Sequence, residues 1–257
     1  MSKPLQGQTI LVTRPVHQAD KLCTYIEKSG GQVLRFPTLE ICDPENLDKV
    51  RKQLLSLVDH DIVIFTSTNA VARALHWLGP TGLPDTVEMA AIGKATAAAL
   101  EEAGYFIDLV PEKQFNSEGL LAMDDLQDVD GASIAIVRGE GGRDVLARTL
   151  EQRGATLEFI EVYRRVQPET AIEPLRNALQ AGKLSIISIT SNEALDNLLR
   201  IANSHDDALK RLPLVVLSER GKRYAQDLGF KSKIVVADSA EDESLVDAII
   251  ECVGQTA

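Results

Sequence analysis

The sequence predicts an α/β protein made of two similar doubly wound units with mostly parallel sheets. Three observations carry that prediction. Short apolar runs alternate with stretches of helical spacing along the whole chain. The alternation repeats at a nearly constant offset. Several apolar runs end on Arg, Gly, Ser or Thr just before a helical stretch, where sheets of this kind hold ligands.

The elements follow in order. TILVT at 9–13 is a continuous apolar run, as a strand covered on both faces requires. Leu22, Tyr25 and Ile26 then recur at helical spacing, and Ser29-Gly30-Gly31 supplies a C-terminal glycine stop. QVLRF (32–36), DIVIF (61–65), VEMAAI (87–92) and FIDLV (106–110) read as further strands, with helical patterns over 69–78 and 94–103. The second half supplies SIAIV, TLEFI, SIISI, LPLVVL and KIVVA. Five strands per half predict two units of one kind.

The halves superpose in sequence. Arg14 meets Arg138, Asp20 meets Asp144, Gly30 meets Gly154, and Pro44-Glu45 meets Pro168-Glu169, each 124 residues on. Thr66-Ser67 meets Thr190-Ser191 at the same offset, and Gly104 meets Gly229 at 125. FTSTNAV (65–71) and ITSNEAL (189–195) are thus two copies of one structural position.

Two divisions into domains fit this repeat. One cuts near residue 130, between the copies. In the other, the extended stretches PTLEICDPE (37–45) and EVYRRVQPE (161–169) are crossings that pair as a ribbon, so that one domain holds both chain ends.

Composition narrows the function. With 257 residues, 44% apolar and 25% charged, the chain can bury a sizeable core. A net charge of −11 argues against a nucleic-acid partner, which needs a basic surface. No apolar run reaches the roughly 20 residues of a membrane span, and MSKPLQGQTILVTRP is not a signal peptide. Cys23, Cys42 and Cys252 are isolated, and the four histidines are scattered, so a reducing cytoplasm and no metal are expected.

The strand ends carry the candidate ligand groups. They are Arg14, Thr66, Ser67, Asn69, Gly93, Lys94, Arg138, Gly139, Gly142, Arg143, Thr190, Ser191, Asn192 and Ser218. Hydroxyls, glycines and arginines at helix starts suit anions, because the first backbone N–H groups are unpaired and the helix dipole lies behind them. The same Ser and Thr residues are also ordinary N-caps, and the arginines could pair with surface acids. The run DSAEDESLVD (238–247) reads as a solvated loop and helix start. GEGGRD is neither a dinucleotide fingerprint nor a Walker loop, and no nucleophile elbow occurs, so no cofactor is expected.

Taken together, ILVTRP, FTSTNAV, AAIGKATAAALEEAG, IVRGEGGRDVLARTLEQRGA followed by VYRR, and ITSNEAL resemble uroporphyrinogen-III synthases, in order and over nearly the whole chain. LSERGKRYA (217–225) departs from the pattern by placing the acid Glu219 after Ser218.

The resemblance implies two flavodoxin-like domains joined by a two-stranded linker, with a cleft between them. The first domain would be 1–37 plus 169–257, the second 42–162, and 38–41 with 163–168 the ribbon. It implies a cofactor-free lyase of heme and siroheme biosynthesis that closes hydroxymethylbilane into uroporphyrinogen III. Ring D is inverted through a spiro intermediate, and water leaves. Tyr163, on the returning linker, matches the family's tyrosine and becomes the candidate proton donor. The expected protein is a cytoplasmic monomer, in at most transient contact with hydroxymethylbilane synthase. The rival reading is a two-lobed, non-enzymatic anion or nucleotide binding protein.

Overall fold

The computed structural model describes residues 3–141 and 145–254. In chain order the first elements are β1 (Thr9–Val12), α1 (Val16–Lys28), β2 (Gln32–Arg35), β3 (Glu40–Cys42), α2 (Leu47–Leu55), β4 (Ile62–Phe65), α3 (Thr68–Leu78), β5 (Glu88–Ala91) and α4 (Lys94–Glu102). There follow α5 (Ser117–Leu121), β6 (Ser133–Gly139), α6 (Val145–Gln152), β7 (Thr156–Val166), α7 (Glu173–Gln180), β8 (Ile186–Ser188) and α8 (Asn192–Ala202). The chain ends with α9 (Asp206–Leu209), β9 (Leu214–Val216), α10 (Glu219–Asp227), β10 (Ile234–Val236) and α11 (Asp242–Gly254).

Two compact units form. Unit 1 is Met1–Glu40 with Val166–Ala257, and unit 2 is Ile41–Arg165. The sheet of unit 1 has the order β10-β9-β8-β1-β2 and is parallel throughout. Renumbered within the unit, this is the 2-1-3-4-5 order of doubly wound folds that bind ligands at the β1/β3 switch point. The sheet of unit 2 has the order β3-β7-β6-β4-β5. Here β6 and β7 occupy the places that β1 and β2 hold in unit 1, while β4 and β5 occupy those of β8 and β9. Each unit therefore combines strands from both halves of the repeat.

Period-two side chains explain why the strands read as unbroken apolar runs. In β1, Ile10 and Val12 join the layer of α1 and α11, with Leu22, Ile26, Leu245 and Ile249. Leu11, between them, joins the opposite layer with Leu195, Leu198 and Ala225 from α8 and α10. Both faces are covered, so Ile10, Leu11 and Val12 are all apolar. In unit 2, Ile62, Ile64, Ile134 and Ile136 pack on Leu120, Leu146 and Leu150. Burying each such side chain contributes about 1.5–3 kcal/mol.

The repeat is visible in the turns. Gly30 ends α1 with φ +88, and its counterpart Gly154 follows α6 with φ +91. A side chain is strained in this left-handed region, so glycine recurs at the helix exit.

FIDLV differs from its predicted strand. Only one bridge forms, Ala90 to Leu109. The Asp108 carboxylate takes the Met89 N–H that a regular ladder would give to a carbonyl, and Phe106 is 80% exposed. By contrast, β7 runs 11 residues, well beyond TLEFI. Among the described residues, no helix is long and apolar enough to cross a membrane.

Candidate functional site

In unit 2 the carboxyl ends of β4, β5 and β6 open on a cavity of about 230 Å³. Thr66, Ser67, Arg138, Gly139, Tyr163 and Arg165 line it, with Phe159 and Ser117. Thr66 and Ser67 stand there because β4 stops at Phe65 and α3 starts at Thr68. Ser67 is the N-cap of α3, its Oγ accepting the Ala70 N–H at 3.1 Å. Its Oγ also lies 3.2 Å from Tyr163 Oη. Thr66 Oγ1 donates to the Val137 carbonyl at 3.3 Å, which leaves it half-buried on the rim.

Arg138 is 8% exposed. Its Nε donates to the Gly139 carbonyl at 3.2 Å, another of its N–H groups donates to Gly141, and the guanidinium sits 5.2 Å over the Phe159 ring. Among the described residues its partners are carbonyls and a ring face, which orient this cation without cancelling its charge. A guanidinium has five donors, so others remain for a carboxylate. Gly93 caps α4, and a Cβ there would stand 3.2 Å from Phe115 Cβ. Lys94 is exposed, with its Nζ 4.7 Å over the Phe115 ring. Asn69 is half-buried on the first turn of α3. Gly142 and Arg143 lie outside the described residues.

Unit 1 carries the matching positions. Ser191 caps α8 by accepting Ala194 N–H at 3.1 Å, with Thr190 half-buried before it and Asn192 opening the helix. Ser218 caps α10 by accepting Gly221 N–H at 3.1 Å, and the Glu219 beside it pairs with Lys222. The capping role of the serines thus holds, and it leaves each O–H to be donated elsewhere.

Arg14 is placed differently from Arg138. It pairs with Asp242 at 2.5 Å, both side chains being 12–13% exposed, and also donates to the Ala240 carbonyl. Its charge is met by the acidic run at 238–247, so Asp242 is part of a built ion pair.

Sequence reasoning passed over Arg165, Phe159, Ser117 and Trp77. Arg165 had a signal, standing two residues after Tyr163 in the same VYRR stretch. The others meet the site only through contacts distant in sequence. Trp77 Nε1 donates to the Val162 carbonyl, 85 positions away. Among the described residues, no three His, Cys, Asp or Glu side chains are grouped to hold a metal.

The family model described as "Uroporphyrinogen-III synthase HemD" matches residues 20–247. The chain is 32% identical over 247 residues to a uroporphyrinogen-III synthase of Escherichia coli, covering 94% of this chain and 99% of that one. It is also 32% identical, at the same coverage, to a uroporphyrinogen-III synthase of Salmonella typhimurium. Among solved structures, a mutant uroporphyrinogen III synthase from Thermus thermophilus superposes with a TM-score of 0.70 at 18% identity, over 96% of this chain and 99% of that chain. A Helicobacter pylori uroporphyrinogen-III synthetase does so at 0.62 and 17%, over 95% and 99%. At these identities the structural likeness bears on the fold alone.

Proposed function

This chain belongs to the uroporphyrinogen-III synthase family, and from that premise we propose that it closes hydroxymethylbilane into uroporphyrinogen III with Tyr163 as the proton donor. The observation that carries the assignment of the donor is the Tyr163 hydroxyl. It reaches a cavity whose other polar groups, among the described residues, are hydroxyls, backbone and guanidinium, with Ser67 Oγ at 3.2 Å. Among the described residues, no cavity-lining carboxylate competes for the role.

The substrate carries eight carboxylates, which fits a site of cationic and N–H donors. Arg138, Thr66, Asn69, Gly93, Lys94 and Gly139 are the proposed contacts in unit 2. Thr190, Ser191, Asn192 and Ser218 are the proposed contacts in unit 1. Arg14 is set aside, since Asp242 already holds it. Gly142 and Arg143, in the same stretch as Gly141, remain in the proposal by their sequence position. Each charged hydrogen bond contributes about 1.5–3 kcal/mol.

Hydroxymethylbilane is reactive enough to cyclise unaided to the uninverted isomer, so the protein's task is largely to hold one conformation. The C–O bond of the hydroxymethyl group breaks, its electron pair leaving with the oxygen. The Tyr163 proton completes the departing water. The resulting azafulvene cation is attacked by the substituted carbon of ring D, giving the spiro intermediate. General-acid assistance of this kind accelerates a step by about 10²–10⁴-fold. The protein is proposed to act as a cytoplasmic monomer, with at most transient contact with the enzyme that supplies its substrate.

The test is the isomer composition formed from freshly generated hydroxymethylbilane, with and without the protein. Isomer III should replace isomer I when the protein is present. Unchanged isomer I, with the protein demonstrably folded, would sink the proposal and favour a non-enzymatic anion receptor.

A further inference from the structure

Tyr163 is only 5% exposed, and its place depends on an irregularity of the backbone. β6 and β7 pair residue for residue up to Arg138 opposite Glu161, and then Gly139 stands opposite Tyr163. β7 has gained one residue, Val162. Bulges of this kind bend a strand and re-aim its side chains. Val162 and Tyr163, the two residues of β7 at this bulge, are both buried.

The bulge is held in place by groups distant in sequence. Trp77 Nε1, on α3, donates to the Val162 carbonyl at 3.1 Å. The Glu140 N–H donates to the Tyr163 carbonyl at 2.8 Å. Gly139 leaves room for the ring, since a Cβ there would stand 2.5 Å from Tyr163 Cε2 and Cζ. The free end of the phenol then meets Ser67 Oγ at 3.2 Å.

Either oxygen can be the donor in that last contact, and the proposed role of Tyr163 chooses between them. Ser67 Oγ uses one lone pair to accept the Ala70 N–H, and its own O–H stays available. A phenol that protonates a leaving hydroxyl must point its proton at the substrate, so its oxygen is left to accept. We propose that Ser67 is a positioning residue for Tyr163. Its hydroxyl, fixed at the N-terminus of α3, donates to the phenol oxygen and turns the phenol proton into the cavity. The same bond stabilises the phenolate left when that proton departs, helped by the positive end of the α3 dipole. The phenolate is reprotonated by the proton lost when the last ring restores its aromaticity, so the step closes without another reactant.

This inference rests on Tyr163 being the donor, and it gives Ser67 a different role from binding a substrate carboxylate. The two roles separate in kinetics. The experiment measures steady-state formation of isomer III by the full chain carrying Ser67→Gly, Ser67→Thr, Tyr163→Phe, and Ser67→Gly with Tyr163→Phe. Glycine caps helices almost as well as serine, so the Ser67→Gly melting temperature should stay within about 2 °C of the parent. Its kcat should fall about 10- to 100-fold at constant KM, and Ser67→Thr should recover most of it. In the Tyr163→Phe background, Ser67→Gly should have no further effect, since it acts only through the phenol. Equal losses in both backgrounds, or a raised KM with kcat intact, would overturn the positioning role. Unchanged kcat in Tyr163→Phe alone would remove the donor reading itself, and the role of Ser67 with it.

Discussion

Unit 1 and unit 2 present the same template with different electrostatics. Arg14 and Arg138 occupy one repeat position, and so do Ser191 and Ser67. In unit 1 the arginine is neutralised by a carboxylate, Asp242, and Ser191 is a helix cap. In unit 2 the arginine is oriented by carbonyls and a ring face, and Ser67 is both a cap and a neighbour of a phenol. Asn197 and Arg73, again one repeat position, both grip the outgoing chain, the first at the Thr38 carbonyl and the second at the Ile41 carbonyl. The shared positions build structure. The proposed chemistry sits where unit 2 departs from unit 1.

The largest effect that would sharpen this contrast is at Gly139. Gly139→Ala fits the extended strand but drives a methyl into the Tyr163 ring, so kcat should fall about 100-fold, the scale of a 1 Å misplacement, while circular dichroism stays unchanged. Retained activity would show that the ring position is not critical.

Next come the paired arginines. Arg138→Met should lower kcat/KM about 10- to 100-fold, the loss of one charged hydrogen bond. Arg14→Met should instead leave Asp242 stranded in a mostly buried place and cost about 3 kcal/mol of stability, seen as a lower melting temperature with KM nearly unchanged. If the two variants behaved alike, the electrostatic distinction between the units would be broken.

Trp77→Phe should cost about 0.5–1.5 kcal/mol, the net value of one hydrogen bond, together with part of the activity as the bulge loosens. Denaturant unfolding and kcat check the two halves of that expectation.

The smallest effect reports on each unit separately. Cys23 and Cys252 lie in the core of unit 1, where burial pushes both thiols above their usual range. Cys42, in unit 2, is half-buried. At neutral pH the reactive thiolate is then scarce at Cys23 and Cys252, and a thiol reagent should label Cys42 first. Arg14→Met should speed labelling of Cys23 and Cys252 by easing the opening of unit 1, whereas Trp77→Phe should not.

Much of this fold was legible because its signals are local. TILV reads as buried on both faces because it is, and Gly30 and Gly154 mark helix exits because glycine adopts that φ without strain. FIDLV misled because its apolar composition is that of a strand, whereas the Asp108 side chain and the exposed Phe106 break the ladder. The rim residues were legible from the end of each apolar run. Their partners were not. The Ser67–Tyr163 and Trp77–Val162 contacts join positions 96 and 85 apart, and the bulge that aims Tyr163 has no signature in EVYRRV. Arg14 and Arg138 look equivalent in sequence, and only the fold brings Asp242 to one of them.

The most direct test of the account is the rate and isomer composition obtained from hydroxymethylbilane with Tyr163→Phe. The account predicts isomer III formation about 100-fold slower at unchanged KM, within the range of a lost general acid, with the unassisted isomer I taking over in the product. Formation of isomer III at the parent rate would contradict it, because the chemistry would then not pass through the phenol that unit 2 holds in place.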